Sequence, residues 1–240
     1  MSSTPQFKIR RLRREELPHD TVELARFLIG KVVVHELPYG RLSGRIVETE
    51  AYPPGDPAGH HFRGPTPRIR SMYLHPGHAY IFFNYGAHFM LNVASEPEGS
   101  AGGILIRALE PLDGVKWMQE HRAGRRAGEM RLRDLTSGPG RLAAALQIDR
   151  RHDGVDLCGR DSSLWLGELV ADEGTQGLAA GPSRVVSKTV RIGITQAADK
   201  LLRFYAPGSP FVSGPKRLLA PTKKKKALAK HKKTNSRKSK

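Results

Sequence analysis

The sequence predicts a single α+β domain, and three observations lead there. The 240 residues suffice for one domain with a sizeable core. Strand-like and helix-like patterns both occur along the chain but do not alternate as βαβ units, which argues against a parallel α/β sheet. No stretch repeats at a fixed period, so the chain is not a solenoid or a propeller.

The elements follow in chain order. Residues 1–16 are polar and basic without a clear period, and are expected to be flexible, with order beginning near Leu17. Asp20 followed by Glu23 has the form of a capping box, Val22, Ala25 and Leu28 follow at helical spacing, and Gly30 fits a C-terminal cap. KVVVHEL (31–37) and GRIVETEAY (44–52) read as paired strands around Pro38-Tyr39-Gly40. The Pro/Gly-rich stretch 53–68 is a long loop, and loops of that length in a compact domain are often functional. AYIFF and AHFMLNV, flanking Asn84-Tyr85-Gly86, read as a hairpin because Asn and Gly tolerate tight turns. GGILIRAL (102–109) is a further strand. Pro111 is placed to start a helix carrying Leu112, Val115 and Met118. SGPGRLAAALQI is a second helix with Ser137–Pro139 at its start, an end suited to a phosphate, and strands are expected at 163–169 and 185–194. The ordered domain spans 17–218, and 219–240 is expected to be a disordered lysine-rich tail.

Composition excludes several classes of function. No apolar run reaches the roughly 18–20 residues that cross a bilayer, and the N-terminus lacks the apolar core of a secretory signal. Cys158 is the only cysteine, which rules out an internal disulfide, Cys-built zinc sites, iron–sulfur clusters and zinc-deaminase chemistry. A reducing cytoplasm fits, at the nucleoid if the source is bacterial. The net charge is +17, and residues 222–240 hold ten Lys or Arg and no acid, leaving +7 on the rest. A basic body with a very basic end points to a polyanion, nucleic acid, as partner.

Glu48 and Glu50 lie two apart in a strand, so period two places Ile46, Glu48, Glu50 and Tyr52 on one face and Val47, Thr49 and Ala51 on the other. Spacing leaves the two acids equal as candidates, and leaves open that both are ordinary surface carboxylates. His60 and His61 sit in the loop, with His75, His78 and His88 nearby. Their spacing matches no zinc signature, and stacking or backbone hydrogen bonding is the better functional reading. Tyr85, at the hairpin tip, either intercalates in a duplex or folds back on the domain. No lysine occurs between Lys31 and Lys116, the stretch that contains all these candidates. A Schiff-base nucleophile needs an amine, so chemistry located here would use water.

The segments RIVETEAY (45–52), GPTPRIRSMY (64–73), PGHAYIFFNYGAHFMLNV (76–93), ILIRALEPLDG (104–114), LTSGPGRLAAAL (135–146) and RFYAPGSPFVS (203–213) come in the order found in one family. Over 17–213 the chain resembles the alkyladenine (3-methyladenine) DNA glycosylases of the single-domain type. The resemblance implies a curved antiparallel sheet with flanking helices and a protruding, DNA-intercalating β-hairpin. It also implies a monomer acting on double-stranded DNA that holds a damaged purine, without metal or organic cofactor. In that family Glu50 matches the general base and Arg107 the arginine that helps to hold the water and the sugar–phosphate. Tyr52 and His61 match one side of the pocket for the flipped base, and Phe82 the other side. Asn92 matches the asparagine that screens purines by conflict with a guanine amino group, and Tyr85 the intercalating residue. Two positions depart from the family pattern: Phe82 stands where tyrosine is usual, and Ala87 where methionine is usual. A basic nucleic-acid-binding module without catalysis, and an RNA-binding protein on a related fold, are the alternatives; neither uses the whole set of matched segments.

Overall fold

The computed structural model describes residues 7–84, 86–123, 130–170 and 185–219. They form one α+β domain built on a curled sheet of nine strands, in which every pairing is antiparallel. In chain order the strands are β1 (Ile9–Arg11), β2 (Val32–Leu37), β3 (Gly40–Tyr52), β4 (Ala79–Asn84), β5 (His88–Ala94), β6 (Gly103–Pro111), β7 (Leu164–Leu169), β8 (Ser187–Thr189) and β9 (Arg203–Tyr205). The helices are α1 (Thr21–Phe27), α2 (Val115–Ala123), α3 (Leu132–Thr136) and α4 (Pro139–Ala145). The sheet runs β1-β7-β2-β3-β6-β5-β4, with β9 joining β3 and β8 joining β9. Strand β3 changes neighbour along its length: residues up to Arg45 pair with β2, and Glu48–Glu50 pair with β9.

The main core lies between one face of the sheet and the helices. Leu24, Ala25 and Leu28 of and beside α1, and Leu142, Ala143 and Ala145 of α4, pack with Ile46, Ala51, Ile104 and Ile106. Helix α1 begins where its cap predicts. The Asp20 carboxylate accepts the backbone N–H groups of Val22 and Glu23, satisfying two donors that the first turn leaves free.

Several expectations are corrected. Order begins before Leu17. Phe7 and Leu12 are buried, and Ile9–Arg11 pairs with Leu169–Gly167. The arginines hid this strand, because Arg10 is matched by Glu16 and by the distant Glu168. The helix expected from Pro111 starts only at Val115. Pro111 ends β6, and Gly114, at φ +77°, turns the chain where a Cβ would press on Leu42 and the Arg41 carbonyl. The strand expected at 185–194 is reduced to Ser187–Thr189, while α3 and β9 carry no pattern strong enough to be anticipated. Strict alternation also fails inside β3: Ile46 and Ala51, which period two puts on opposite faces, both join the main core, while Val47 joins Ala108, Tyr205 and Phe211 in a second cluster. The cause is a bulge, since the register passes from Ile46↔Leu109 to Glu48↔Ala108. The hairpin pairs Ala79–Asn84 with Val93–His88. Its tip residue Tyr85 lies outside the described residues, as do residues 220–240 of the expected tail. Among the described residues no helix is long and apolar enough to cross a membrane.

Candidate active site

One row of directly paired residues crosses four strands and forms the base of a cavity. Glu50 on β3 opposes Leu105 on β6, Leu105 opposes Asn92 on β5, and Asn92 opposes Tyr80 on β4. Residues facing each other across antiparallel strands project to the same side, so this register gathers groups distant in sequence. Leu105, Asn92 and Tyr80 line a cavity of about 570 Å3, together with Tyr52, His60, Phe82, Arg107 and the segment Ile192–Gln196. That volume falls in the range of roughly 300–1,000 Å3 usual for small-molecule sites.

Glu50 is fully buried behind this wall, and its contacts are all with donors. The Tyr52 hydroxyl donates to Oε2 at 2.9 Å and the Ile192 N–H donates to Oε1 at 2.8 Å. Arg107 Nη1 stands 3.3 Å from Oε2. Burial, and then the adjacent Glu50 charge, push the Tyr52 phenol far above its ordinary value, so it stays protonated and remains a donor. Burial opposes charge on Arg107, but Glu50 and Glu48 outweigh it and hold the guanidinium above its ordinary value. Glu48, the other candidate acid, points to the same side but is enclosed by Arg107, Arg203 and the Ser213 N–H. The two acids, both fully buried, differ in their neighbours: Glu50 contacts three cavity-lining residues, Tyr52, Arg107 and Ile192, whereas Glu48 shares Arg107 but is otherwise held by Arg203 and Ser213, which are not among the lining residues.

Of the two loop histidines, the structure does not bring His61 to the cavity wall. Its ring lies against Gly59, with Nε2 bonded to the Pro53 carbonyl at 3.0 Å. His60 takes the wall. Its ring meets Phe82 edge-to-face at 4.6 Å, and Nδ1 bonds the Tyr80 hydroxyl at 2.9 Å. The cause is local: His60–Arg63 forms a 3-10 turn, which sends successive side chains about 120° apart. Desolvation beside the Tyr80 and Phe82 rings, with help from Arg68, lowers the pKa of the surface-exposed His60, and burial pushes the Tyr80 phenol up to about 12. Phe82 also stacks on Tyr80, with ring centroids 5.7 Å apart. Asn92 Nδ2 donates to the carbonyls of Tyr80 and Met90, at 3.1 and 3.3 Å, which fixes the amide at the cavity base.

Sequence reading missed Tyr80, Arg191 and Asp56. The alternation Tyr80-Ile81-Phe82 was a usable signal for the first, because period two puts both rings on one face. The other two had none. Arg191 and Asp56 are both fully buried and form a bidentate pair, at 2.5 and 3.1 Å. Arg191 also donates to the Ala51 carbonyl and lies 4.6 Å above the Tyr52 ring. Burial works against the Asp56 carboxylate, but Arg191 holds it below the usual range. The pair clips the loop that carries His60 to the end of β3 and to the segment that supplies the Ile192 N–H.

A recess lined by aromatic rings, with a buried carboxylate beside it and an arginine on its wall, suits a planar base and attack by water. Residues 15–210 match the profile of the family described as methylpurine-DNA glycosylase. A protein of Mesorhizobium japonicum is 56% identical over 205 residues, covering 85% of this chain and 91% of its own length. One of Paraburkholderia phytofirmans is 48% identical over 214 residues, covering 89% and 93%, and one of Chlorobaculum tepidum is 42% identical over 210 residues, covering 87% and 93%. All three are assigned the name 3-methyladenine DNA glycosylase. The chain belongs to the methylpurine-DNA glycosylase family, hydrolases that act on the N-glycosyl bonds of DNA.

Proposed function

We propose that this chain is a monofunctional glycosylase that removes alkylated or deaminated purines from double-stranded DNA, using a water activated by Glu50. The observation that carries the reading is the buried Glu50 carboxylate, held by Tyr52, Ile192 and Arg107 at the edge of an aromatic cavity. A base inside the stack cannot be attacked, so the lesion is flipped out, at a cost of a few kcal/mol that damaged or mispaired bases lower. The flipped purine enters between Tyr52 and His60 on one side and Phe82 on the other, the His60 ring turning away from its edge-to-face contact with Phe82 to admit it. Stacking on an aromatic ring contributes on the order of 1–3 kcal/mol per base, most of which phenylalanine retains. Tyr85, assigned by resemblance, fills the vacated space in the duplex. The water oxygen bonds to the deoxyribose C1′, its proton passes to Glu50, and the electron pair of the N-glycosyl bond leaves with the purine. The carboxylate also faces the positive charge that develops on the sugar.

A water nucleophile is favoured because no lysine is among the residues described on the cavity wall. The product is then an abasic site in an unbroken strand. The protein acts as a monomer in the cytoplasm, on DNA. Duplexes that hold hypoxanthine, ethenoadenine or 3-methyladenine test the reading. Base release is expected, with strands that break only on later alkaline treatment and with no borohydride-trapped adduct. Tight binding without base release would instead favour a non-catalytic binding module.

A further inference from the structure

Glu48 is a fully buried acid that the hydrolytic step does not use. Its Oε1 accepts the Nε–H of Arg107 at 2.9 Å and that of Arg203 at 2.6 Å, and its Oε2 accepts the Ser213 N–H at 2.6 Å. Arg203 is itself fully buried and donates from Nη2 to the Ser213 carbonyl. Arg107 completes the line: Nε on Glu48, Nη2 toward Ser213 Oγ at 3.4 Å, and Nη1 toward Glu50 Oε2 at 3.3 Å. Charges therefore alternate from Arg203 through Glu48 and Arg107 to Glu50.

The backbone is irregular at this place and regular around it. The pairing of β3 with β6 runs Ile46↔Leu109, Glu48↔Ala108, Thr49↔Ile106, so Val47 is an extra residue on β3 and Arg107 an extra residue on β6. The two bulges cancel, and Glu50↔Leu105 continues the original register. Bulges next to active sites re-aim side chains. Here they flank the Glu48·Ala108 pair and turn Glu48 and Arg107 toward each other. A purely apolar sheet would need neither bulge, and buried ion pairs do not in general favour stability over an apolar replacement.

We propose that Glu48 is a positioning residue for base excision: it fixes the Arg107 guanidinium so that Nη1 faces Glu50 and the reacting centre. A planar guanidinium held at Nε and Nη2 keeps one orientation, whereas one held by Glu50 alone could swing toward the carboxylate and leave the water unsupported. This rests on the function proposed for the site.

The test uses the full chain and a hypoxanthine duplex under single-turnover conditions. Glu48→Gln is expected to slow base release by about tenfold or more, while affinity for a duplex with a tetrahydrofuran abasic analogue stays within about threefold of wild type. Because Glu48→Gln leaves an excess buried positive charge, the charge-balanced Glu48→Gln/Arg203→Met variant is compared as well. Its melting temperature is expected to recover toward wild type while its rate stays low. A wild-type rate in Glu48→Gln, or a rate that recovers together with the melting temperature, would overturn the role of Glu48 and leave the proposed function standing. Absence of base release from the wild-type protein would overturn the function itself, and the positioning role with it.

Discussion

At the residue scale, the site depends on which atoms face the cavity, and sequence shows that only in part. Glu48 and Glu50 have the same spacing, and the adjacent His60 and His61 have the same composition and loop. Their difference arises from contacts with Arg203, Ser213, Pro53 and Tyr80, which lie up to 165 positions away. The histidines give a direct test. His60→Ala removes a cavity wall and is expected to slow single-turnover base release by about tenfold, from lost stacking of on the order of 1–3 kcal/mol. His61→Ala is expected to lower the melting temperature and leave the rate of the folded protein within about threefold. The opposite pattern would return His61 to the pocket. Phe82→Tyr adds a hydroxyl beside His60 while keeping the ring. It is expected to change the ratio of rates on hypoxanthine and ethenoadenine rather than to raise or lower both, as measured by parallel single-turnover assays.

At the element scale, the strands that build the site were legible and their ends were not. The patterns of 31–37, 44–52, the 78–95 hairpin and 102–109 predicted β2, β3, the β4–β5 hairpin and β6, and of these β3, β6, β5 and β4 carry the row from Glu50 to Tyr80. Strand β9 has three residues, too few for a pattern, yet it delivers Arg203. The segment after Thr189 reads as strand but leaves the sheet, because Arg191 turns inward to Asp56 and its neighbour Ile192 caps Glu50. That clip is open to test by stability. Arg191→Met leaves the Asp56 carboxylate buried and unpaired, so a loss of about 3–5 kcal/mol is expected in chemical denaturation. Arg191→Met/Asp56→Leu is expected to recover much of it. A single variant as stable as wild type would show that the clip does not hold these three segments together.

At the scale of the whole molecule, charge and protonation set the working range. Ten of the forty Lys and Arg lie in residues 222–240. Phosphate contacts release counterions, so affinity falls with salt in proportion to their number. Deleting residues after Pro221 is expected to weaken duplex binding and flatten the slope of log Kd against log salt, with base release from bound substrate unchanged. An unaltered slope would mean that these residues make no phosphate contacts.

Stability is also expected to depend on pH through buried His35 and, to a smaller extent, through His60, which is exposed at the surface. Burial depresses the pKa of His35 below 6.5, and desolvation beside the Tyr80 and Phe82 rings lowers that of His60. The unfolded chain therefore binds protons first, as pH falls below about 6.5, while the folded chain resists them. Their contribution is complete above that value and is lost as pH falls toward the folded-state values. Melting temperatures between pH 8 and 5 are expected to drop on the acid side, and to drop less in His35→Gln/His60→Gln.

The central claim is that the Glu50 carboxylate activates the water that releases the base. The most direct measurement compares wild type with Glu50→Gln for single-turnover release of hypoxanthine from duplex DNA, with binding followed separately. The account predicts a rate lower by about a hundredfold or more, with affinity for the lesion duplex retained. A Glu50→Gln protein that releases the base at the wild-type rate would contradict it.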